Sequence, residues 1–244
     1  MPTLLVLGSK PSPALPPRDS FTDLACANAS GRSARTEGLP DPAFTVMTAV
    51  LTSGNASDEH SFGKLGGLRT GTLYHLARPK AEQGSLLARL IRRWKMRRLT
   101  PGHMQHRLAR IGYRYDRLVA RKASDYHALI LELCGRDALI AALIRDKQPS
   151  TGLAALAVGI ELGRWQRFVM AGFDFTLTHA YGENPLLSQR GDASSKHADT
   201  DIAILRCLAR NRTDIFTTEG SIHDLTGIAW LPGAEQAART GKDA

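Results

Sequence analysis

An α/β fold with a largely parallel sheet and helices on both faces is predicted by three features. Short apolar runs end in turns rich in glycine, proline and serine. One helical stretch is apolar on every side. The two kinds of segment alternate along the chain. The first run, 3–7, closes in Gly8-Ser9-Lys10-Pro11-Ser12, and 21–27 and 44–51 follow as candidate strands between turn-rich loops. The stretch 153–162 has Ser150 and Thr151 ahead of it and Gly163 behind. That pattern predicts a buried helix with hydroxyl caps and a glycine stop. Beyond it, 167–175 reads as a buried strand running into a loop, 202–209 as helix and 214–217 as strand.

The middle differs. Over 84–148 the pattern is helical with no strand signal, which predicts a helical, basic insertion within one domain spanning 1–244. Leu87, Ile91 and Trp94 fall on one helical face, and Arg89, Arg92, Arg93 and Arg97 occupy the rest, until Thr100-Pro101-Gly102 breaks the helix. Twelve Lys or Arg and one acid, Asp116, lie between Arg89 and Lys122, so this stretch carries +11 in a chain of net +9. A polyanionic partner is expected there. An anionic membrane surface is the preferred reading, with the apolar face entering the interface and the arginines meeting lipid headgroups. Nucleic acid is the other, because Trp94, Tyr113 and Tyr115 are interleaved with arginines.

Composition excludes some classes. With 43% hydrophobic residues the chain is not disordered, and no apolar run reaches the length of a membrane-spanning helix. Cys26, Cys134 and Cys207 are few, odd in number and set in apolar surroundings, which predicts reduced thiols and a cytoplasmic location.

In open α/β sheets, ligands sit outside the carboxyl ends of the strands. Three segments converge there if the strands are as read. At the Gly8 turn a missing side chain lets backbone approach a nucleotide. The run Cys26-Ala27-Asn28-Ala29-Ser30 offers amide and hydroxyl groups to a base or ribose. Ser150-Thr151-Gly152 opens the apolar helix, where free amides and the helix dipole suit a phosphate or simply mark a capped helix start. His197 closes a long polar loop containing Tyr181 and precedes a helix, as a general base or a structural histidine would. Asp199-Thr200-Asp201 has two readings. An extended segment would put His197, Asp199 and Asp201 on one face for a cation, whereas a helical one makes the pair of acids capping residues. Capping is preferred, and no metal is expected.

The order of these motifs resembles the bacterial sialyltransferases. G-x-x-P-S follows the first strand, C-x-N the second, S-T-G opens an apolar helix, and A-G-F-D-F and H…T-D-I come after it. The likeness is to the GT42-type enzymes and related Kdo transferases, over residues 1–50 and from Ser150 onward. It implies a Rossmann-like, GT-A-like sheet. It also implies transfer of a sialic acid or related 2-keto-3-deoxy sugar from a CMP-activated donor to a cell-surface glycan, as in lipopolysaccharide or capsule biosynthesis. No cofactor is implied, and the chain is expected on the inner face of the cytoplasmic membrane, with a homo-oligomer among its expected partners. Carried over by position, Gly8, Ser9 and Asn28 contact the CMP portion, and Thr48 falls where the family has an asparagine on the donor sugar. Ser150, Thr151 and Gly152 bind the nucleotide, with Asp174 close by. Tyr181 bonds the leaving phosphate, and His197 deprotonates the acceptor. The sequence departs from the pattern at Ser9 (usually asparagine), at Lys10 (usually glycine) and at Thr176 (a second phosphate-binding tyrosine). The histidine also lies one residue nearer to T-D-I. The alternatives are a Kdo transferase of different stereochemistry and a nucleic-acid-binding protein that uses the basic helices.

Overall fold

A computed structural model describes residues 1–10, 12–54, 56–77, 96–175, 195 and 197–231. Its strands are β1 (Thr3–Leu7), β2 (Asp23–Ala27), β3 (Phe44–Thr48), β4 (Arg69–Ala77), β5 (Arg114–Lys122), β6 (Arg167–Ala171), β7 (Ile215–Thr217) and β8 (Ala229–Trp230). They form one sheet in the order β5-β4-β3-β2-β1-β6-β7-β8, and every neighbouring pair is parallel. The helices are α1 (Gly31–Thr36), α2 (Ala56–Gly63), α3 (Pro101–Arg110), α4 (Ala123–Leu133), α5 (Ala138–Asp146), α6 (Thr151–Glu161), α7 (Ala198–Asn211) and α8 (Gly220–Thr226).

The central strands are continuous apolar runs because both faces of the sheet are covered. Leu4, Leu5, Val6 and Leu7 are all fully buried, and they divide between a core on the face of α4, α6, α7 and α8 and a smaller core on the other face. Helix α6 is buried from Thr151 to Gly159 and crosses β1, β2, β3 and β6. A side chain at Gly159 would lie 2.5 Å from Leu4 Cδ2, and one at Gly152 would lie 2.7 Å from the ring of Phe173, just past β6. Gly159 therefore sits over the start of β1 and Gly152 over the end of β6. The helix runs against the strands, and its N-terminus lies at their carboxyl edge.

Strand order sets where a ligand fits. Successive strands run outward from β1 to β5 in one direction, while β6, β7 and β8 run outward in the other. The strand order therefore reverses between β1 and β6, and the carboxyl edge of this pair is where open α/β sheets form a ligand crevice.

The elements expected around this crevice are present, with trimmed ends. The run over 44–51 leaves extended geometry after Thr48 and turns through a 3₁₀ segment, Ala49–Thr52; the run over 167–175 ends at Ala171, where Gly172 has a φ of 68°. The stretch 84–148 is not helical throughout, since β5 lies within it and pairs with β4. The alternation of β5 is masked by charge. It is the edge strand, and Arg114, Asp116, Arg117 and Lys122 are exposed on it. Charged side chains on an edge discourage pairing with another chain, and they also hide the strand from its hydrophobic pattern. Arg97 is exposed; Leu87, Arg89, Ile91, Arg92, Arg93 and Trp94 lie outside the described residues. All three cysteines are buried free thiols, and burial pushes the Cys26 thiol up to about 12.

His75, on β4, is fully buried, and its Nε2–H donates to the Leu99 carbonyl at 3.0 Å. Burial holds its pKa below the ordinary 6.5 and outweighs the opposing pull of that carbonyl. The native ring stays neutral where the unfolded one takes up a proton, so stability is lost as pH falls through the unfolded value. Urea midpoints measured between about pH 7.5 and pH 5.5 should fall on acidification. The fall should be shallower in His75→Gln, which keeps an N–H donor without the titration; an identical pH slope in that variant would contradict the assignment.

Candidate active site at the carboxyl edge of the sheet

The strand exits are tied to one another by short-range polar contacts. After β1, the Gly8 N–H donates to the Ala171 carbonyl (2.8 Å) and the Lys10 N–H to the Gly172 carbonyl (2.9 Å), so this loop follows the exit of β6. A Cβ at Gly8 would sit 2.3 Å from the Gly172 carbonyl oxygen. The backbone just past the neighbouring strand β6 by itself excludes a side chain here, so the glycine is required by packing whether or not a nucleotide approaches. Ser9 is half-buried on the same loop.

Asn28, at the exit of β2, takes the left-handed conformation at φ 53°, which asparagine tolerates better than most residues. Its Oδ1 accepts the Thr48 N–H (3.0 Å), and its own N–H donates to Val46 (2.8 Å), so Asn28 and Thr48 are joined across the ends of β2 and β3. The Ser30 hydroxyl, fully buried, accepts from the Ala27 N–H and donates to the Leu7 carbonyl, each at 2.9 Å. Asp174, half-exposed, follows Phe173 at the exit of β6. The C-x-N and A-G-F-D-F motifs therefore reach the same edge as the Gly8 turn.

The other lip of the crevice is the start of α6, stitched to the start of α7. Ser150 caps α6, its hydroxyl accepting the Leu153 N–H at 3.3 Å. The capping reading of this hydroxyl holds, but it leaves the N–H groups of Thr151 and Gly152 without hydrogen-bond partners among the described residues, at the positive end of the helix dipole. Residues 147–150 bind the start of α7 at four points. Ser150 N–H donates to Asp201 (2.9 Å), the Thr200 hydroxyl to the Lys147 carbonyl (3.0 Å), and Lys147 Nζ to Asp199 (2.8 Å). The fourth contact is His197 Nδ1 to the Gln148 carbonyl at 2.5 Å. A carbonyl only accepts, so Nδ1 carries the proton, and in the neutral ring Nε2 is the basic nitrogen. The segment is helical from Ala198, so His197, Asp199 and Asp201 do not line one extended face. Asp201 is buried on Ser150, while Asp199 is exposed beside Lys147. Tyr181 and Thr176 lie outside the described residues.

The sequence reading missed Glu219. It follows β7 as the N-cap residue of α8 and is buried at 3% exposure. Its carboxylate accepts the N–H groups of Gly172 (2.9 Å) and Ala14 (3.0 Å) and pairs with Lys10 Nζ at 2.5 Å. One acid thereby joins the loops leaving β1, β6 and β7. The only local signal was an acidic residue ahead of a short helix, which reads as an ordinary cap. A separate cavity of about 540 Å³, lined by Arg35, Asp41, Arg69 and Arg114 among others, lies at the opposite edge of the sheet and contains none of the expected site residues.

No family model and no curated protein sequence matches this chain. Solved structures match in fold. The sialyltransferase CstII from Campylobacter jejuni, in complex with the substrate analogue CMP-3FNeuAc, is 12% identical, covers 100% of both chains and has a TM-score of 0.53. A sialyltransferase Cst-II variant in complex with CMP is 13% identical, over 99% of each chain, with a TM-score of 0.54. Cst-II with a trisaccharide acceptor and CMP is 13% identical, over 99% of this chain and 100% of that one, with a TM-score of 0.51. The shared feature at this level of identity is the Rossmann-like, GT-A-like fold.

The two acids of the D-T-D run should separate by mutation. Asp201→Ala leaves the half-buried Ser150 N–H without its acceptor and should cost about 1–3 kcal/mol of unfolding free energy in urea. Asp199→Ala breaks an exposed pair and should leave the midpoint close to wild type. Equal losses would show that the two carboxylates act together.

Proposed function

We propose that this chain is a glycosyltransferase that moves a sialic acid or related 2-keto-3-deoxy sugar from a CMP-activated donor to a glycan, with His197 as general base. The observation that carries the reading is the His197 Nδ1–H bond to the Gln148 carbonyl, which orients the ring at the start of α6 and makes Nε2 its basic nitrogen. It is supported by a fold shared with sialyltransferases whose structures hold CMP or a CMP-sugar analogue, and by the gathering of the expected motifs at one sheet edge.

In this reading the nucleotide lies over the carboxyl ends of β1 and β6, where the strand order reverses. Gly8, Ser9 and Asn28 meet the CMP portion, Asp174 lies beside it, and Thr48 faces the donor sugar. The N–H groups of Thr151 and Gly152 supply preorganised donors to the phosphate, a kind of contact worth a few kcal/mol where charge develops in the transition state. Nε2 of His197 takes the proton of the acceptor hydroxyl. The acceptor oxygen then bonds to the anomeric carbon, the bond from that carbon to the phosphate oxygen breaks, and CMP leaves with the electron pair. The proton on His197 forms an imidazolium that the Gln148 carbonyl stabilises through Nδ1–H. A phosphate monoester leaves with less charge than a pyrophosphate, so the reaction does not require a metal ion.

The acceptor belongs to the same proposal. Arg97, Arg110, Arg114 and Arg117 are exposed in the basic stretch, which would hold the chain at an anionic membrane surface, where a lipid-linked glycan is presented on the cytoplasmic side.

Three measurements check these statements. CMP release should occur with CMP-sialic acid or CMP-Kdo and not with UDP- or GDP-sugars, and the preferred CMP-sugar identifies the donor. His197→Ala should lower turnover by about 10²–10⁴-fold while CMP affinity persists; an undiminished rate removes His197 as base. In sedimentation with vesicles, the chain should pellet with phosphatidylglycerol and not with phosphatidylcholine, and added salt should release it. Capture by duplex RNA in place of vesicles would turn the basic stretch toward nucleic acid.

A further inference from the structure

We infer that Lys10 is a phosphate-binding residue of the crevice and that Glu219 is the positioning residue that holds it there; this rests on the nucleotide reading given above. Lys10 stands two residues past Gly8, on the loop that leaves β1 at the point where the strand order reverses. Its backbone follows β6, the Lys10 N–H donating to the Gly172 carbonyl, and its ammonium reaches Glu219 at 2.5 Å. The two ends of this ion pair differ in burial: the Glu219 side chain is 4% exposed and that of Lys10 is 32% exposed. A buried carboxylate is tolerated only when its lone pairs are occupied, and Glu219 meets that condition with the Ala14 N–H, the Gly172 N–H and the ammonium. An ammonium has three N–H donors, and Glu219 takes one of them. The exposed part of Lys10 can turn the others toward an anion in the crevice.

Charge makes the pairing specific. A lysine on a flexible stem would sweep a wide volume, and holding it in one place costs side-chain entropy. Glu219 meets that cost in the folded protein before any ligand arrives, so the cation waits at the crevice in a fixed position. The carboxylate itself is already bonded to two backbone N–H groups and the lysine, which limits its repulsion of a second anion. Lys147, a second lysine beside the start of α6, is paired with the exposed Asp199. Lys10 is thus placed to meet the phosphate of CMP, in the ground state and as charge accumulates on it during departure.

The experiment compares CMP with cytidine, which lacks the phosphate, by calorimetric titration. Three variants are used: Lys10→Met, Lys10→Arg, and the double variant Lys10→Met/Glu219→Gln, which leaves no buried carboxylate unpaired and so guards against misfolding. Lys10→Met and the double variant should bind CMP between about tenfold and a hundredfold more weakly, with cytidine affinity unchanged. Lys10→Arg should recover most of the loss. Glu219→Gln alone should weaken CMP selectively by a smaller factor, since the lysine remains but is no longer anchored. Equal weakening of CMP and cytidine, or undiminished CMP binding in the double variant, would overturn the assignment of Lys10 while leaving the nucleotide site standing. Failure of the wild-type chain to bind CMP at all would instead overturn the nucleotide reading on which this one rests.

Discussion

Helix α6 is buried from its first residue to Gly159, and its seating on the sheet is the constraint on which the rest of the crevice depends. Two glycines set that seating. Gly159 lets the helix come down over Leu4 and Phe168, and Gly152 lets its first turn meet the ring of Phe173. With these contacts made, the helix has one orientation, and the amides of its first turn face the carboxyl edge of the strands. The hydrophobic burial that stabilises the domain is also what aims the dipole, so a polar site is positioned by apolar packing.

Around that helix start, much of the site is held by backbone atoms. The imidazole of His197 is held by a carbonyl, Ser150 offers an amide to Asp201, and Asn28 offers a side-chain oxygen to the Thr48 amide. Backbone groups are fixed by the sheet and helix ladders, so side chains bonded to them lose little further freedom when a ligand binds. The contacts between 147–150 and α7 have a second consequence. The Gln148 carbonyl selects one tautomer of His197, while the Lys147 ammonium and the Ser150 amide give the two acids of the D-T-D run separate partners, which makes the run a structural joint.

Electrostatically the chain is divided. The basic residues gather in the stretch that ends with the edge strand β5, while the central crevice contains few charges, most of them in defined pairs. Glu219 is the deepest of these. It links three loops that are far apart in sequence, and through Lys10 it presents a cation at the point where the strand order reverses. A weak field from the remote basic stretch cannot substitute for that, because exposed charges are screened within about 8–10 Å at physiological salt.

Continuous apolar runs were legible because burial on both faces leaves no room for polar residues: β1 and α6 are visible in their residues alone, as is the alternation that makes the sheet parallel. The placing of His197 immediately ahead of a helix and of Ser150 as a cap was legible too, since capping is a local matter. The strand β5 was not, because its pattern records an edge covered by charge. Nor was Glu219, nor the division of labour between Asp199 and Asp201. Their partners lie between 47 and 209 residues away, and a hydrogen bond across such a span leaves no period in the chain. Local patterning records which side of an element meets the core; which polar groups meet one another is decided only when the strands take their order in the sheet.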